Sequence, residues 1–256
     1  MNTELLKDKV AIVTGAGRGL GEAVARAYAA EGARVVVSDI DLASAERVAQ
    51  SLAGARAVAC DVRDPKAVEA LVAKTVDAHG RLDVMVPNAG VANLAPLATM
   101  SYEQWREVTS VNLDGVFLCL RYAAPVMMGQ KSGAIVTMCS VTAQAACALI
   151  GHYAAAKAGV MSLTQTAATE LRGHGVRVNA ILPAFIETDM VTPRKAEFET
   201  LLQLPMPFDA LIAARQGRYG KPDEVARLAV FLASERSSFC NGGAYVVDGG
   251  VRASLL

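Results

Sequence analysis

Short runs of consecutive apolar residues alternate along this chain with longer segments whose apolar positions recur every three or four residues. The runs read as strands buried on both faces, and the longer segments as helices packed by one face. Strands are expected at Val10–Thr14, Arg34–Ser38, Ala55–Cys60, Leu82–Val86, Ala134–Cys139, Arg177–Ile181 and Ala244–Val247. Helices are expected at Gly21–Ala30, Asp41–Leu52, Pro65–Ala78, about Tyr102–Met128, about Tyr153–Arg172 and Pro222–Ala233. Pro65 suits a first helical position, and Pro125 falls near the end of the long helix. Strands that are apolar throughout and separated by helices predict a single α/β domain. Its doubly wound parallel sheet would have about seven strands and helices on both faces. One region breaks the rhythm: about residues 184–221, with Pro193, Pro205, Pro207 and Gly217 and weak periodicity. A loop of that length in a compact domain is expected to serve as a substrate lid.

Composition narrows the field of functions. The 256 residues are 53% hydrophobic, with 25 basic and 25 acidic side chains. That balance argues against a general nucleic-acid binder, which carries excess positive charge. No run of about 18 apolar residues exists, because Arg121 and Pro125 interrupt Val116–Met128, so no membrane span is expected. Met1–Lys9 carries Glu4 and Asp8 and no apolar core of a signal peptide. The five cysteines are odd in number and never spaced as CxxC, which fits reduced thiols in a cytoplasmic protein. The three histidines show no metal-ligand spacing, and no metal is expected.

Two clusters carry chemistry. Thr14-Gly15-Ala16-Gly17-Arg18-Gly19-Leu20-Gly21 follows a strand and opens a helix. Such glycines allow a tight turn and close backbone approach, and the helix N-terminus favours a pyrophosphate. This is the pattern of a Rossmann-type dinucleotide site. Asp39 ends the next strand, eighteen residues past Gly21, with Ile40 beside it. A carboxylate there hydrogen-bonds ribose hydroxyls and repels a 2′-phosphate, which favours NAD. Arg18 pulls the other way, since it could meet a 2′-phosphate. The second cluster is Ser140, Tyr153 and Lys157. Tyr153 and Lys157 lie four apart and share a helix face. An ammonium beside a phenol favours phenolate, so the Tyr153 pKa is expected below its ordinary value of about 10. A tyrosine tuned that way exchanges protons near neutral pH. Together the clusters point to alcohol–carbonyl redox.

Taken in order, these residues resemble the short-chain dehydrogenase/reductase family from Lys7 to Gly250. Gly15, Gly19 and Gly21 are similar to its cofactor glycines, and Asp61-Val62 to the pair that meets adenine. Asn88-Ala89-Gly90 resembles the motif that ends the fourth strand. Pro183 and Ile186-Glu187-Thr188 resemble the segment that orients the nicotinamide carboxamide, and Asp248-Gly249-Gly250 the C-terminal signature. Asn112, Ser140, Tyr153 and Lys157 match the catalytic four. The resemblance implies that Tyr153 is acid or base and that Ser140 holds the substrate oxygen. It also implies that Lys157 binds the nicotinamide ribose and that Asn112 links it through water to solvent. The chain departs from the pattern at Pro87, where the family usually has asparagine, and at Ala184, where it usually has glycine. Proline donates no hydrogen bond, and alanine would be strained if that position required a positive φ.

Expected substrate walls are Val91–Leu94, Val141–Ile150, Phe185 and the lid, with Leu94, Val141, Leu149, Phe185 and Met190 as pocket residues. They are mostly apolar, which favours a hydrophobic secondary alcohol or ketone. His152 is expected as pocket wall or surface, and Cys139 and Cys147 as packing. Two rival readings stay open. One is a 3-oxoacyl-(acyl-carrier-protein) reductase using NADPH, which Phe185–Met190 resembles. It would want a positive rim, which Lys131, Arg172 and His174 could supply. The other is a non-catalytic dinucleotide-binding regulatory protein. The family resemblance also implies a homotetramer. Val116, Leu120, Ala123, Val160, Leu163 and Ala167 are expected to leave surplus apolar helix faces for an interface, and the final leucines of Val251–Leu256 could pack at a second.

Overall fold

All seven expected strands form in the computed structural model, which describes residues 4–253. They are β1 (Val10–Thr14), β2 (Arg34–Asp39), β3 (Arg56–Ala59), β4 (Val84–Val86), β5 (Gly133–Met138), β6 (Val176–Pro183) and β7 (Ala244–Val247). Every pairing is parallel, in the order β3-β2-β1-β4-β5-β6-β7. The helices are α1 (Gly19–Ala30), α2 (Leu42–Gln50), α3 (Pro65–His79), α4 (Tyr102–Thr109), α5 (Gly115–Gln130), α6 (Gly151–Leu171), α7 (Lys195–Leu202), α8 (Phe208–Gln216) and α9 (Pro222–Ala233). Local chemistry sets several starts. The Asp41 and Asp64 side chains accept the Ala43 and Lys66 N–H groups at the heads of α2 and α3, and Ser101 with Gln104 forms a reciprocal cap on α4.

The strand pleat divides the core. Ala11, Val13, Val35, Val37, Val84 and Val86 pack on the face that carries α1 and α9. Ile12, Val36 and Met85, the residues between them, pack on the face that carries α3, α5 and α6. Each fully buried side chain of this size contributes about 1.5–3 kcal/mol. Both faces must be apolar, and for that reason the strand segments show no alternation in the sequence. The order reverses direction between β1 and β4, which leaves a crevice beyond their C-terminal ends, where ligands bind in open sheets of this kind.

Three expectations change. The single long helix is α4 and α5 joined by a π-helical turn, Ser110–Asp114. There the Asn112 side chain donates to the Val108 carbonyl at 2.9 Å and to the Val91 carbonyl at 2.7 Å, intruding on the backbone ladder. The whole stretch Tyr102–Gln130 is long and apolar enough to cross a membrane; in the fold, its Val116, Cys119, Leu120, Ala123 and Met127 are buried against the chain's own core. The irregular region is not a bare loop, since it holds α7 and α8. These helices are too short for strong periodicity, yet they bury Phe198, Phe208 and Ile212 together. Finally, Val116, Leu120, Ala123 and Val160 are covered within the chain, because α5 lies between α3 and α6. Exposed Phe117 is the large apolar side chain that α5 presents. The two final leucines lie outside the described residues.

Candidate active site

The crevice between β1 and β4 is shaped by missing side chains. Gly15 has φ +61°, and a Cβ there would lie 2.7 Å from the Ala89 Cα. A Cβ on Gly21 would fall on the Gly15 carbonyl oxygen and 2.5 Å from the Asn88 Nδ2. The turn is locked from β4: Asn88 Nδ2 donates to the Thr14 and Gly15 carbonyls at 2.8 and 3.1 Å. The Asn88 and Ala89 N–H groups donate to Thr14 Oγ1. No side chain caps the start of α1 after Arg18, so the N–H groups of Gly19, Leu20 and Gly21 are left for an anion. The cradle fits a dinucleotide pyrophosphate.

Asp39 ends β2 facing this turn. Its carboxylate accepts the Gly17 N–H at 2.9 Å and the Asp41 N–H at 3.1 Å. Ile40 is exposed beside it. Arg18 is exposed. The Ser44 hydroxyl chiefly, and Arg18 more weakly, hold the Asp41 carboxyl below its ordinary range. Asp61, after β3, is engaged by Arg63 at 2.6 Å, while Val62 is buried against Gly115. Pro183 ends β6, and Thr188 sits against Gly19, so Ile186–Thr188 crosses the mouth of the turn. The Pro87 carbonyl accepts the Met138 N–H at 3.1 Å. Ala184 is not among the residues with positive φ, so alanine carries no such strain there.

Ser140 follows β5, and the first turns of α6 carry Tyr153 and Lys157 beside it. The Ser140 Oγ accepts from the Thr142 N–H and hydroxyl at 3.2 and 2.9 Å. Lys157 is buried; its Nζ donates to the Met138 carbonyl at 2.7 Å and lies 5.5 Å from the Tyr153 ring centroid. The expected direction of the tyrosine shift is reversed. Burial pushes the Tyr153 phenol up to about 12, and the Ser140 hydroxyl opposes this only in part. Burial also pushes Lys157 down to about 8. The lysine's charge is thus weakened and directed at a carbonyl, and desolvation wins. Asn112 is fully buried, and its Oδ1 has no protein partner. A Cβ on Gly90 would sit 2.7 Å from that oxygen.

Tyr153 faces an apolar cluster formed by Leu94, Leu149, Ile150, Phe185, Phe198, Phe208 and Ile212. Phe208 stacks on Phe198 at 5.1 Å and meets Phe185 edge-on at 5.4 Å. Gln216 clamps the Phe185 backbone from α8, accepting its N–H at 3.1 Å and donating to its carbonyl at 2.8 Å. Leu94, Leu149 and Phe185 lie in this cluster. Val141 packs instead with the α3–α5–α6 core, and Met190 is half-buried outside the cluster. Burial raises the Cys139 and Cys147 thiols, which leaves them as packing.

Sequence reasoning has Asn93 only as part of the Val91–Leu94 segment and leaves His152 open between pocket wall and surface. His152 is fully buried, not at the surface, with its Nε2 2.5 Å from Asn93 Oδ1 and its Nδ1 accepting the Tyr153 N–H at 2.9 Å. The only hint in the sequence is a polar residue directly before Tyr153. Among the described residues, no three His, Cys, Asp or Glu side chains gather as a metal site would require.

The family model described as enoyl-(acyl carrier protein) reductase matches residues 15–252. A cis-4-hydroxycyclohexanecarboxylate dehydrogenase of Sinomonas cyclohexanicum is 41% identical over 257 residues, covering 98% of this chain and 99% of that protein. A 3-oxoacyl-(acyl-carrier-protein) reductase of Thermotoga maritima is 40% identical over 252 residues, covering 96% and 98%. The crystal structure of a short-chain type dehydrogenase/reductase from Mycobacterium marinum matches with a TM-score of 0.90 at 33% identity, covering 99% of each chain.

Proposed function

The chain belongs to the short-chain dehydrogenase/reductase family, and from that premise we propose that Tyr153 is the proton donor and acceptor for a hydrophobic secondary alcohol and its ketone, with NAD(H) as hydride partner. The observation that supports this reading is Tyr153 within hydrogen-bond reach of the Ser140 hydroxyl, just past the C-terminal end of β5, with an apolar cluster packed against the tyrosine. In ketone reduction, the Ser140 hydroxyl donates to the substrate oxygen and Tyr153 gives that oxygen its proton as the carbon receives hydride. In alcohol oxidation, Tyr153 takes the hydroxyl proton as the carbon loses hydride. A nicotinamide cofactor, when bound, would supply or accept the hydride and in its oxidised form would add positive charge to the site. The protein's own groups leave Tyr153 protonated at neutral pH. The phenolate needed for oxidation therefore depends on charge from outside the chain's own set.

Lys157 has two N–H donors beyond the one given to Met138, enough to hold ribose hydroxyls. The unpartnered Asn112 Oδ1 suits a water that passes protons between Lys157 and solvent. Asp39 holds the Gly17 N–H of the glycine turn and Asp41 follows it, with Arg18 partly matched by Asp41; two carboxylates there would repel a 2′-phosphate, which supports NAD over NADP. The same reading assigns Gly15, Gly19, Leu20, Gly21, Asn88, Ala89, Gly90, Asp61, Val62, Pro183, Ile186 and Thr188 to the cofactor. Exposed Phe117, and Phe239 and Val246 around β7, support a homotetramer of two-fold symmetry. The chain's unpaired thiols support a cytoplasmic setting.

One second reading keeps a specific support, the Thermotoga relative, named for reduction of a carrier-bound 3-oxoacyl group. Lys131, Arg172 and His174, however, precede β5 and β6, at the strand ends opposite Tyr153, and so lie on the wrong side to dock a carrier at the site.

A panel of cyclic and acyclic secondary alcohols, a 3-oxoacyl thioester and both nicotinamide cofactors separates the readings. Turnover of a neutral alcohol with NAD is expected. Preference for the thioester with NADPH, or tighter binding of NADPH than NADH by direct titration, sinks the proposal. Light scattering that returns a mass near 26.7 kDa rules out the tetramer.

A further inference from the structure

A chain of three side chains that the proton-transfer reading does not use ties the first turn of α6 to the loop after β4. His152 Nδ1 accepts the Tyr153 backbone N–H at 2.9 Å, and its Nε2 meets Asn93 Oδ1 at 2.5 Å. Asn93 Nδ2 donates to Glu107 Oε2 on α4 at 3.0 Å. The Tyr153 N–H sets the hydrogen-bond directions. Nδ1 must present a lone pair, so Nε2 carries the hydrogen and gives it to Asn93, whose amide then donates to the carboxylate. Two backbone features reinforce the tie. The Leu149 carbonyl accepts the Ala95 N–H at 2.8 Å, and Ala95 bridges to Ile150. Leu149 itself holds φ +69°, a conformation that persists in a leucine only where its surroundings enforce it. Asn112 grips the same loop at the Val91 carbonyl. Residues 91–95, which deliver Leu94 to the Tyr153 cluster, are thus fastened at one end by Asn112 and at the middle by His152.

We propose that His152 is a positioning residue that, in its neutral Nε2–H form only, holds the Leu94 wall against Tyr153 and so sets the fit of substrate to the proton donor. The proposal rests on the reading of Tyr153 given above. A proton on Nδ1 would face the Tyr153 N–H donor to donor, leaving the Ile150 carbonyl, already within reach of the ring, to compete for it. Glu107 is the charged side chain that faces the ring from α4, and residues 91–95 carry no charge. Burial lowers the imidazole pKa, while Ile150 and Glu107 oppose that shift. The neutral form therefore holds at neutral pH and is lost as pH falls through the lowered value.

The test uses the full chain and cyclohexanone with NADH as the probe reaction. Side-chain nitrogen–proton correlation spectra of His152 should show the neutral Nε2–H tautomer at neutral pH; an Nδ1–H or doubly protonated ring overturns the proposal. His152→Asn keeps an acceptor for the Tyr153 N–H and loses the arm to Asn93. Its ketone KM should rise about tenfold, the worth of one buried hydrogen bond, with unchanged NADH affinity. His152→Gln reaches Asn93 again and should bring KM back to within about twofold of the parent. Neither variant titrates, so the acid fall of kcat/KM in the parent should be absent from both. Equal KM in all three proteins, or an acid fall that persists in both variants, overturns the proposal. Tyr153→Phe run alongside separates the failures. If it keeps its turnover, the reading of Tyr153 is wrong, and the tautomer measurement still decides the His152 chain.

Discussion

The proposed cofactor crevice and the proposed substrate wall, which that reading brings together at Tyr153, are built on opposite principles. The crevice owes its shape to atoms that are not there: a Cβ at Gly15 or Gly21 would strike backbone or the locking Asn88. The wall owes its shape to side-chain volume, with Leu94, Leu149 and Phe185 brought together from three distant segments and backed by the Phe198–Phe208 stack. One is backbone fixed to backbone and tolerates almost no change at a few positions. The other is apolar packing under two short helices, in which one side chain exchanges for another of similar volume at modest cost. A molecule divided this way can change what it reduces without disturbing what it reduces it with.

Tyr153→Phe tests the meeting point and should have the largest effect. The ring stays and only the hydroxyl goes, so turnover should fall by the 10²–10⁴ or so typical of general acid–base catalysis. NADH binding, followed by fluorescence, should persist. Gly21→Ala tests the crevice. The added methyl has nowhere to go except into the Gly15 carbonyl, so NADH affinity should drop about a hundredfold or more while the wall keeps its shape. An alanine variant with parental affinity would show that the turn is softer than its contacts imply. Phe185→Leu tests the wall. Substrate KM should move by roughly tenfold, the usual scale for a reshaped apolar pocket, with cofactor affinity untouched. If both constants moved together, the two regions would not be separable.

The smallest effect sharpens the boundary between them. Lys157, lowered to about 8 by burial, is charged below that pH and neutral above it. Its contribution to ribose binding should be complete at pH 7 or so and fade as pH rises through about 8. A several-fold loss of NAD affinity by calorimetry is expected, and Lys157→Arg should move that loss out of the accessible range. A flat profile in the parent would mean that the ammonium is held charged once the nucleotide is bound.

The sequence announces the two regions unequally, for the same physical reason. Backbone constraints leave fixed spacings, so Gly15, Gly19, Gly21, Asp39 and the Tyr153–Lys157 pair are all readable, as is the parallel sheet that carries them. Volume leaves no spacing. Leu94, Leu149 and Phe185 can be named from the sequence as candidates, but α7 and α8 are hidden because eight or nine residues with one buried position in α7 and three in α8 barely show a period. Long-range pairs are hidden altogether: Asn93 and His152 are 59 positions apart and neither belongs to a motif. The direction of the Tyr153 shift is misread because a sequence shows that a lysine is near, but not that burial outweighs it.

The π-helical turn Ser110–Asp114 has a consequence for how this enzyme can vary. Such a turn is an ordinary helix with one residue too many, and each residue winds the chain by about 100°. Deleting a single position within it would let α4 run straight into α5. Every side chain on one half would then swing by that angle relative to the other. Asn112 and Glu107 could no longer both point at the loop that carries Val91 and Asn93. Substitutions along this stretch alter one contact at a time. A change of length by one alters all of them at once, so the segment is open to drift in composition and closed to insertion or deletion.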